Sequence, residues 1–181
     1  MRDAARLTFG AEGRDVIKPT DGVDLARAER RMEAALVIFE TLCTDRSLPQ
    51  DQWARNCFSL GEMYRRGNGT VQDYPKAKIH YDAACLEGRH PGACMQQAYT
   101  SQKDEDGDID LDHARILYEQ ACSLNDPGGC AGLGNMMYMG LGGSRDRPTA
   151  TRLLQESCAS EYVWACTRLT EYGLPTRLDR F

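Results

Sequence analysis

The sequence contains no long hydrophobic run. Its mean hydropathy is -0.55, and no stretch approaches the roughly 18 apolar residues that a membrane-spanning helix needs. The first ten residues, MRDAARLTFG, lack the basic-then-apolar order of a signal peptide. We therefore predict no membrane span, and if the protein is exported we expect this chain to be the mature part after removal of a leader.

Basic clusters are also missing. The chain has 22 Lys and Arg against 27 Asp and Glu, which gives a formal net charge of -5 at pH 7. Proteins that bind nucleic acids usually concentrate positive charge along the phosphate backbone, and no tract of that kind occurs here. We therefore expect no nucleic-acid partner.

Metal-binding and redox spacings are absent as well. No Cys-x-x-Cys occurs, and the only histidines, which we expect on helix surfaces, are His80, His90 and His113. Zinc sites usually contain short cysteine knuckles, and thiol oxidoreductases a Cys-x-x-Cys pair, whereas the paired cysteines here are separated by 7, 8 or 13 residues. We predict structural disulfides, an oxidising compartment, and neither metal nor cofactor.

Catalytic motifs are equally scarce. Neither Ser-x-x-Lys nor Gly-x-Ser-x-Gly is present, and the two serines near a helix end, Ser157 and Ser160, have no base nearby in the sequence. The acidic segment 104–112, DEDGDIDLD, places carboxylates at alternate positions but lacks the glycine at loop position six and the closing glutamate of an EF-hand calcium loop. We assign no catalytic residue, and we interpret this segment as a solvated loop in which Asp110 caps the next helix.

What the chain does contain is a repeat. Eight cysteines form two interleaved series with a period of about 36 residues, within the range typical of stacked helical repeats: 43, 85, 122 and 158, and 57, 94, 130 and 166. An alanine lies eight residues before each first cysteine, and a large apolar residue four before it. A second set of apolar and small residues follows each second cysteine at helical spacing.

This pattern predicts an all-α fold without strands. Aspartates 73, 110 and 146 are placed to cap helices, and glycine-rich segments such as RGNGT and GLGGS to end them. The predicted helices are 24–43, 52–66, 74–86, 92–101, 110–123, 128–139, 147–158 and 163–172. Each cysteine pair spans the turn between two antiparallel helices, within disulfide reach. We predict the bonds Cys43–Cys57, Cys85–Cys94, Cys122–Cys130 and Cys158–Cys166, each contributing about 2.5 kcal/mol.

The pattern AxxxYxxAC…GCxxLG over residues 31–172 resembles the Sel1-like repeat, a relative of the tetratricopeptide repeat. The cysteine placement is similar to that of the Helicobacter cysteine-rich protein family, whose hairpins carry one disulfide each. The second copy departs most, because Gln97 replaces the expected leucine and SQKDEDGDID replaces the glycine-rich loop. The resemblance implies a right-handed α–α superhelix of about four stapled hairpins over residues 24–173, with an irregular arm at 1–23 and a tail at 174–181.

The resemblance also implies a function. In the tetratricopeptide arrangement the first helix of each pair lines a concave groove, which here would expose Arg55, Phe58, Glu62, Arg65, Met95, Tyr99, Asn135, Tyr138, Met139, Trp164 and Thr167. The implied role is a non-catalytic scaffold that binds a protein or peptide, either periplasmic or secreted, or in the mitochondrial intermembrane space if the source is eukaryotic. Two alternatives stay open: a penicillin-binding or weakly β-lactamase-like protein, and an assembly factor of the intermembrane-space type.

Overall fold

The computed structural model describes residues 22–103 and 109–176, which form eight α-helices and no strand. The predicted all-α solenoid is confirmed, whereas most of the predicted arm and tail lie outside these residues. No helix in the described ranges is both long and apolar enough to cross a bilayer. The helices are α1 Gly22–Thr44, α2 Gln50–Arg66, α3 Tyr74–Asp82, α4 Pro91–Ser101, α5 Leu111–Ser123, α6 Pro127–Met139, α7 Arg147–Ala159 and α8 Val163–Glu171.

Aspartate caps begin several helices, as predicted. The carboxylates of Asp73, Asp110 and Asp146 each accept a hydrogen bond from the backbone N–H three residues later. Asp126 does the same for α6, and Nδ1 of His90 does so for α4, at 3.1 Å from Ala93 N. These bonds satisfy donors that the first helical turn leaves unpaired.

The expectation that the histidines lie on helix surfaces is wrong for two of them. His90 is half-buried at the start of α4, and its ring stacks on Phe58 with centroids 4.6 Å apart. His80 is also half-buried and stacks on Tyr64 at 5.5 Å. Burial lowers the pKa of both imidazoles, so the rings are neutral packing elements at neutral pH.

All four predicted disulfides are present, and the described residues include no free cysteine. Their Cα–Cα distances lie between 4.4 and 4.9 Å. Each bond joins the end of one helix to the first turns of the next. The second junction also contains a π-helical turn, Ala83–Glu87, in place of the last α-helical turn predicted there.

Small residues allow neighbouring helices to approach closely. A Cβ on Gly61 would lie 2.7 Å from Cε1 of Tyr81, and one on Gly134 would lie 3.0 Å from the carbonyl oxygen of Ala150. Helix α4 packs on α6 and α6 on α8, whereas no comparable packing within 22–103 and 109–176 joins α3 to α5 or α5 to α7. Because helices on the inside of a curved array lie closer together, α4, α6 and α8 form the concave side, and α2 is the helix of the first pair that corresponds to them.

Among the described residues, the second hairpin, α3 with α4, contains buried polar groups without hydrogen-bond partners, whereas the matching pair in the first hairpin, α1 with α2, is hydrogen-bonded. In the first hairpin Tyr64 Oη donates to Glu40 Oε1 across 2.7 Å and so links α2 to α1. Asp82 and Ser101 hold the corresponding positions relative to Cys85 and Cys94 but have shorter side chains. Asp82 Oδ1 and Ser101 Oγ are buried and make no hydrogen bond to the described residues. Burial accordingly raises the pKa of Asp82.

Gln97 is a further buried polar residue of the second hairpin. It occupies the position of Leu60, Leu133 and Leu169 in the other hairpins and is fully buried. Neither its amide oxygen nor its amide nitrogen has a hydrogen-bond partner among the described residues. A buried amide without partners opposes folding, because it loses its hydrogen bonds to water and gains none.

We therefore expect Gln97→Leu to stabilise the protein. Restoring the leucine of the other repeats removes two unpaired polar atoms and should raise the free energy of unfolding by about 1–3 kcal/mol, measured by denaturant titration. The matched control is Gln96→Leu at the neighbouring half-buried position, which should change stability by less than about 0.5 kcal/mol. A Gln97→Leu protein no more stable than the parent would contradict this account.

Candidate binding surface on the concave side

The eleven side chains predicted for the groove all lie on α2, α4, α6 and α8, and none is buried. The structure brings four of them together around one cavity of about 420 Å³, which we call the concave cavity. Met95 and Tyr99 come from α4, Asn135 from α6 and Trp164 from α8. The cavity thus depends on the relative positions of three successive inner helices.

Aromatic and basic side chains dominate the walls of the concave cavity. The rings of Tyr162 and Trp164 are tilted, with centroids 6.4 Å apart, and the guanidinium of Arg168 lies 4.9 Å from the Trp164 ring. On the opposite wall Lys103 Nζ lies 4.1 Å from the ring of Tyr99 and donates a hydrogen bond to its hydroxyl. Such contacts hold both positive groups against the faces of aromatic rings.

Gly132 of α6 explains why an aromatic ring reaches this cavity from the outer layer. A Cβ on Gly132 would lie 2.3 Å from Cε1 of Tyr118, so the ring of this α5 residue rests directly on the α6 backbone. A Cβ on Gly128 would lie 3.4 Å from the hydroxyl of Tyr162. Burial raises the pKa of Tyr118 and Tyr162, so both are neutral phenols at neutral pH.

Asn135 is held in a fixed orientation. Tyr172 Oη donates to Asn135 Oδ1 at 2.5 Å, and the Tyr172 ring stacks on Tyr138 with centroids 4.0 Å apart. With its carbonyl occupied, the Asn135 amide nitrogen is the atom that can donate to a ligand. Tyr138, another predicted groove residue, therefore acts here by supporting Asn135 through Tyr172.

The N-terminal part of the groove is organised around Glu62. Phe58 and Glu62 border a shallow depression of about 370 Å³. The Glu62 carboxylate accepts two hydrogen bonds from Arg65, both 2.9 Å long, and one from Tyr81 Oη at 2.5 Å. Arg66 adds an ion pair of 2.8 Å. Glu62 and Arg65 thus interact with each other and stiffen the groove wall.

These contacts determine the protonation states of Glu62 and Arg65. Partial burial alone would raise the pKa of Glu62, but the hydrogen bonds from Arg65 and Tyr81 outweigh it and hold that pKa below its ordinary value. The hydrogen bond with Glu62 raises the pKa of Arg65. It outweighs the effect of burial, which would lower that pKa, so the pKa lies above its ordinary value. Glu62 is therefore a carboxylate and Arg65 a cation at neutral pH.

The remaining predicted residues do not join either depression. Arg55 pairs with Asp51 across 2.8 Å on the exposed surface of α2. Thr167 donates to the carbonyl of Val163 within α8, and Met139 is exposed at the end of α6. Conversely, five side chains that line the concave cavity were not predicted from the sequence: Gln102, Lys103, Tyr118, Tyr162 and Arg168.

The described residues include no group of three or more His, Cys, Asp or Glu side chains arranged to hold a metal ion. Of the acidic segment considered for calcium, residues 104–108 lie outside the described ranges. Within it, Asp110 caps α5, with Oδ1 2.9 Å from His113 N, as the loop interpretation predicts.

A family model of the Sel1 repeat matches three consecutive stretches, residues 57–88, 93–126 and 127–162. Together they cover more than half of the chain. The chain belongs to the Sel1 repeat family. No curated protein matches the sequence.

Solved structures of Sel1-repeat proteins are similar to this chain. A protective antigen of uropathogenic Escherichia coli with an SLR fold has a TM-score of 0.62 and 20% identity over 86% of this chain, which spans 37% of the antigen's length. A Sel1 repeat protein from Oxalobacter formigenes has a TM-score of 0.58 and 20% identity, covering 82% of this chain and 98% of that one. Helicobacter pylori cysteine-rich protein B has a TM-score of 0.52 and 24% identity, covering 81% and 95%.

The bounds of the matched repeats show which units the disulfides join. The matched Sel1 repeats begin with α2, α4 and α6, so each unit is an inner helix followed by an outer one. Cys85–Cys94 joins the first matched repeat to the second, and Cys122–Cys130 joins the second to the third. The cross-links therefore connect neighbouring Sel1 repeats rather than the two helices of one repeat.

Glu62→Gln tests the charged cluster in the groove. Because the folded-state pKa of Glu62 is lowered, its stabilising effect is present at neutral pH and is lost as the pH falls through that folded-state pKa. We expect the variant to be less stable than the parent by about 1–3 kcal/mol at pH 7, and the difference to shrink between about pH 5 and pH 3 in denaturant titrations.

The control for this experiment is Glu87→Gln. Glu87 pairs with Arg46 at 2.8 Å, but both side chains are more than half exposed, at 57% and 61%. Such an exposed ion pair contributes little to stability, so the free energy of unfolding of this variant should differ from that of the parent by less than about 1 kcal/mol. A pH-independent loss at Glu62, or an equal loss at Glu87, would contradict the assignment.

Proposed function

We propose that this Sel1 repeat protein is a non-catalytic scaffold that binds a protein or peptide along its concave side. The observation that carries the proposal is the concave cavity, where Tyr99, Asn135 and Trp164 from three inner helices surround about 420 Å³. Peptide-binding surfaces typically combine aromatic contact area with a few oriented polar groups, as this cavity does.

We further propose that it works in an oxidising compartment, either periplasmic or extracellular, or in the mitochondrial intermembrane space if the source is eukaryotic. All eight cysteines are paired within the chain. Disulfides at this density persist where thiols are not continuously reduced. The same four bonds keep the inner helices in register and so preserve the binding surface.

No specific observation favours the penicillin-binding alternative. Ser157 is buried and donates to the carbonyl of Leu153, while Ser160 donates to the carbonyl of Glu156. Both hydroxyls are thus occupied by helix carbonyls rather than by a base that would activate them. No specific observation favours the assembly-factor alternative either.

The binding proposal can be tested with peptides selected from a random dodecamer phage library on the oxidised protein. Synthetic copies of these peptides should bind the parent in fluorescence polarisation, and Tyr99→Ala should weaken binding about tenfold or more, as expected for an aromatic anchor. The matched control is Ile116→Ala, which truncates a 60% exposed residue on the outer helix α5. Selection of no peptide, or an equal loss with the control, would overturn the proposal.

The compartment proposal can be tested by the intact mass of protein recovered from its native cells under acid quench. We expect iodoacetamide to modify no cysteine before reduction and all eight after it. Peptide mapping should then show the four neighbouring pairs. Alkylation of most cysteines before reduction would place the protein in a reducing compartment and overturn this part of the proposal.

A further inference from the structure

We propose that the concave cavity binds an uncharged, proline-rich segment of the partner peptide in the polyproline II conformation. This inference rests on the proposed peptide-binding function and names the chemistry of the ligand. Three properties of the described lining residues carry it: their charges are already engaged, their hydrogen-bonding groups mostly donate, and their aromatic rings form apolar walls.

The charged side chains of the lining are the first observation. Among the described residues they are Lys103 and Arg168. Arg168 donates to Glu171 and lies against the ring of Trp164. Lys103 donates to the hydroxyl of Tyr99. An anionic ligand would have to displace these contacts, and a cationic ligand would meet two positive charges, so the cavity suits an uncharged segment.

The hydrogen-bonding groups of the lining are the second observation. Asn135 Oδ1 accepts from Tyr172 Oη, which leaves the Asn135 amide nitrogen to donate. The hydroxyl oxygen of Tyr99 accepts from Lys103, which leaves the Tyr99 proton to donate. The indole N–H of Trp164 can only donate. These three lining residues therefore offer donors to a ligand.

The other polar residues of the lining do not reverse this balance. Tyr118 and Tyr162 also line the cavity, and burial raises the pKa of both phenols. Each therefore keeps its proton at neutral pH and can donate as well as accept. Gln102 adds one amide with both kinds of group. The described lining thus presents more donors than acceptors.

This balance selects among peptide backbones. An ordinary extended segment has one N–H and one carbonyl per residue, and a buried N–H without an acceptor opposes binding. Proline has no N–H but keeps its carbonyl. Adjacent prolines also hold the chain in the polyproline II conformation before binding, so less conformational freedom is lost. A proline-rich segment therefore matches a lining rich in donors.

The aromatic rings are the third observation. Tyr162 and Trp164 form a tilted pair with centroids 6.4 Å apart, and the ring of Tyr118 rests on the α6 backbone at Gly132. Met95 adds a flexible apolar side chain. Proline rings are compact and rigid, and aromatic-lined grooves are the surfaces on which proline-rich segments dock. The walls therefore provide the apolar contacts that such a segment needs.

The test uses the dodecamers selected on the oxidised protein, synthesised with acetyl and amide ends so that no terminal charge contributes. We expect adjacent prolines to be enriched among them. Each proline is then replaced singly by alanine, which restores the N–H, or by sarcosine (N-methylglycine), which has neither the N–H nor the ring. Binding is measured by fluorescence polarisation.

We expect alanine at the most sensitive proline to weaken binding about tenfold or more, because it removes the ring and adds an N–H without an acceptor. Sarcosine at the same position should weaken binding less. If sarcosine is as weak as alanine, the ring is the feature that the cavity recognises, which also supports the inference.

The protein variant is Asn135→Asp, which replaces the donating amide nitrogen by an oxygen and keeps the oxygen that accepts from Tyr172. We expect it to weaken binding of the proline peptides about fivefold or more. The matched control is Asn68→Asp, the same change in the loop between α2 and α3, which should have less than about a twofold effect. Circular dichroism and thermal unfolding verify that both variants fold.

The outcomes that would overturn the inference are distinguishable from failure of the binding function. If selected peptides bind and respond to Tyr99→Ala but no proline replacement weakens them, the inference fails while the binding function stands. If no peptide binds the oxidised protein, the binding function fails and the inference fails with it. An equal loss with Asn68→Asp would indicate a general charge effect and would also overturn the inferred contact.

Discussion

The disulfide between each pair of neighbouring repeats is the constraint on which the rest of the structure depends. In a solenoid each unit contacts only its neighbours, so the geometry of the whole array is the sum of these interfaces. Here every interface between matched Sel1 repeats carries a covalent link at its helix–helix turn. By the loop-entropy estimate each link contributes about 2.5 kcal/mol. This matters for a chain whose hydrophobic content is only 41%, and it matters more for the concave cavity, whose walls come from three successive inner helices.

Glycine on the middle inner helix determines where that cavity forms. At Gly132, α6 presents bare backbone on which the ring of Tyr118 rests, and Tyr162 contacts the helix near Gly128. Ser59 of α2 and Gln96 of α4 occupy the position that corresponds to Gly132, two residues after the second cysteine of each pair, and the N-terminal half of the groove is occupied by the hydrogen-bonded cluster of Glu62, Arg65 and Tyr81. The concave side therefore has two different halves. In the N-terminal half the polar side chains pair with one another, and the C-terminal half is an open cavity lined by aromatic rings.

Helix order, helix ends, disulfide pairing and much of the core could be predicted from the sequence, because each depends on local spacing. Asp73 caps its helix by accepting a hydrogen bond from a backbone N–H only three residues away. The burial of Ala77 could be predicted because an alanine recurs at this position in each repeat. The concave cavity could be predicted only in part. Met95, Tyr99, Asn135 and Trp164 can be placed from the face of a helix, but Lys103 and Arg168 line the same cavity only because the repeats stack. Tyr118 lies four residues before a first cysteine, which places it against a neighbouring helix, but its contact with the cavity depends on Gly132 in another helix. His90 escaped prediction as a cap because histidine seldom serves as one.

The four disulfides also differ in how well they are shielded. In the two N-terminal bonds Cys57, Cys85 and Cys94 are fully buried and Cys43 nearly so, whereas all four cysteines of the two C-terminal bonds are partly accessible. Attack by an external thiolate requires access to a sulfur atom. A reducing environment would therefore open the array from its C-terminal side, and the first bonds to break would be those beside the aromatic cavity. The half of the molecule that contains the concave cavity is thus its most redox-sensitive part, so in a reducing compartment the cavity would lose its covalent support before the N-terminal helices lost theirs.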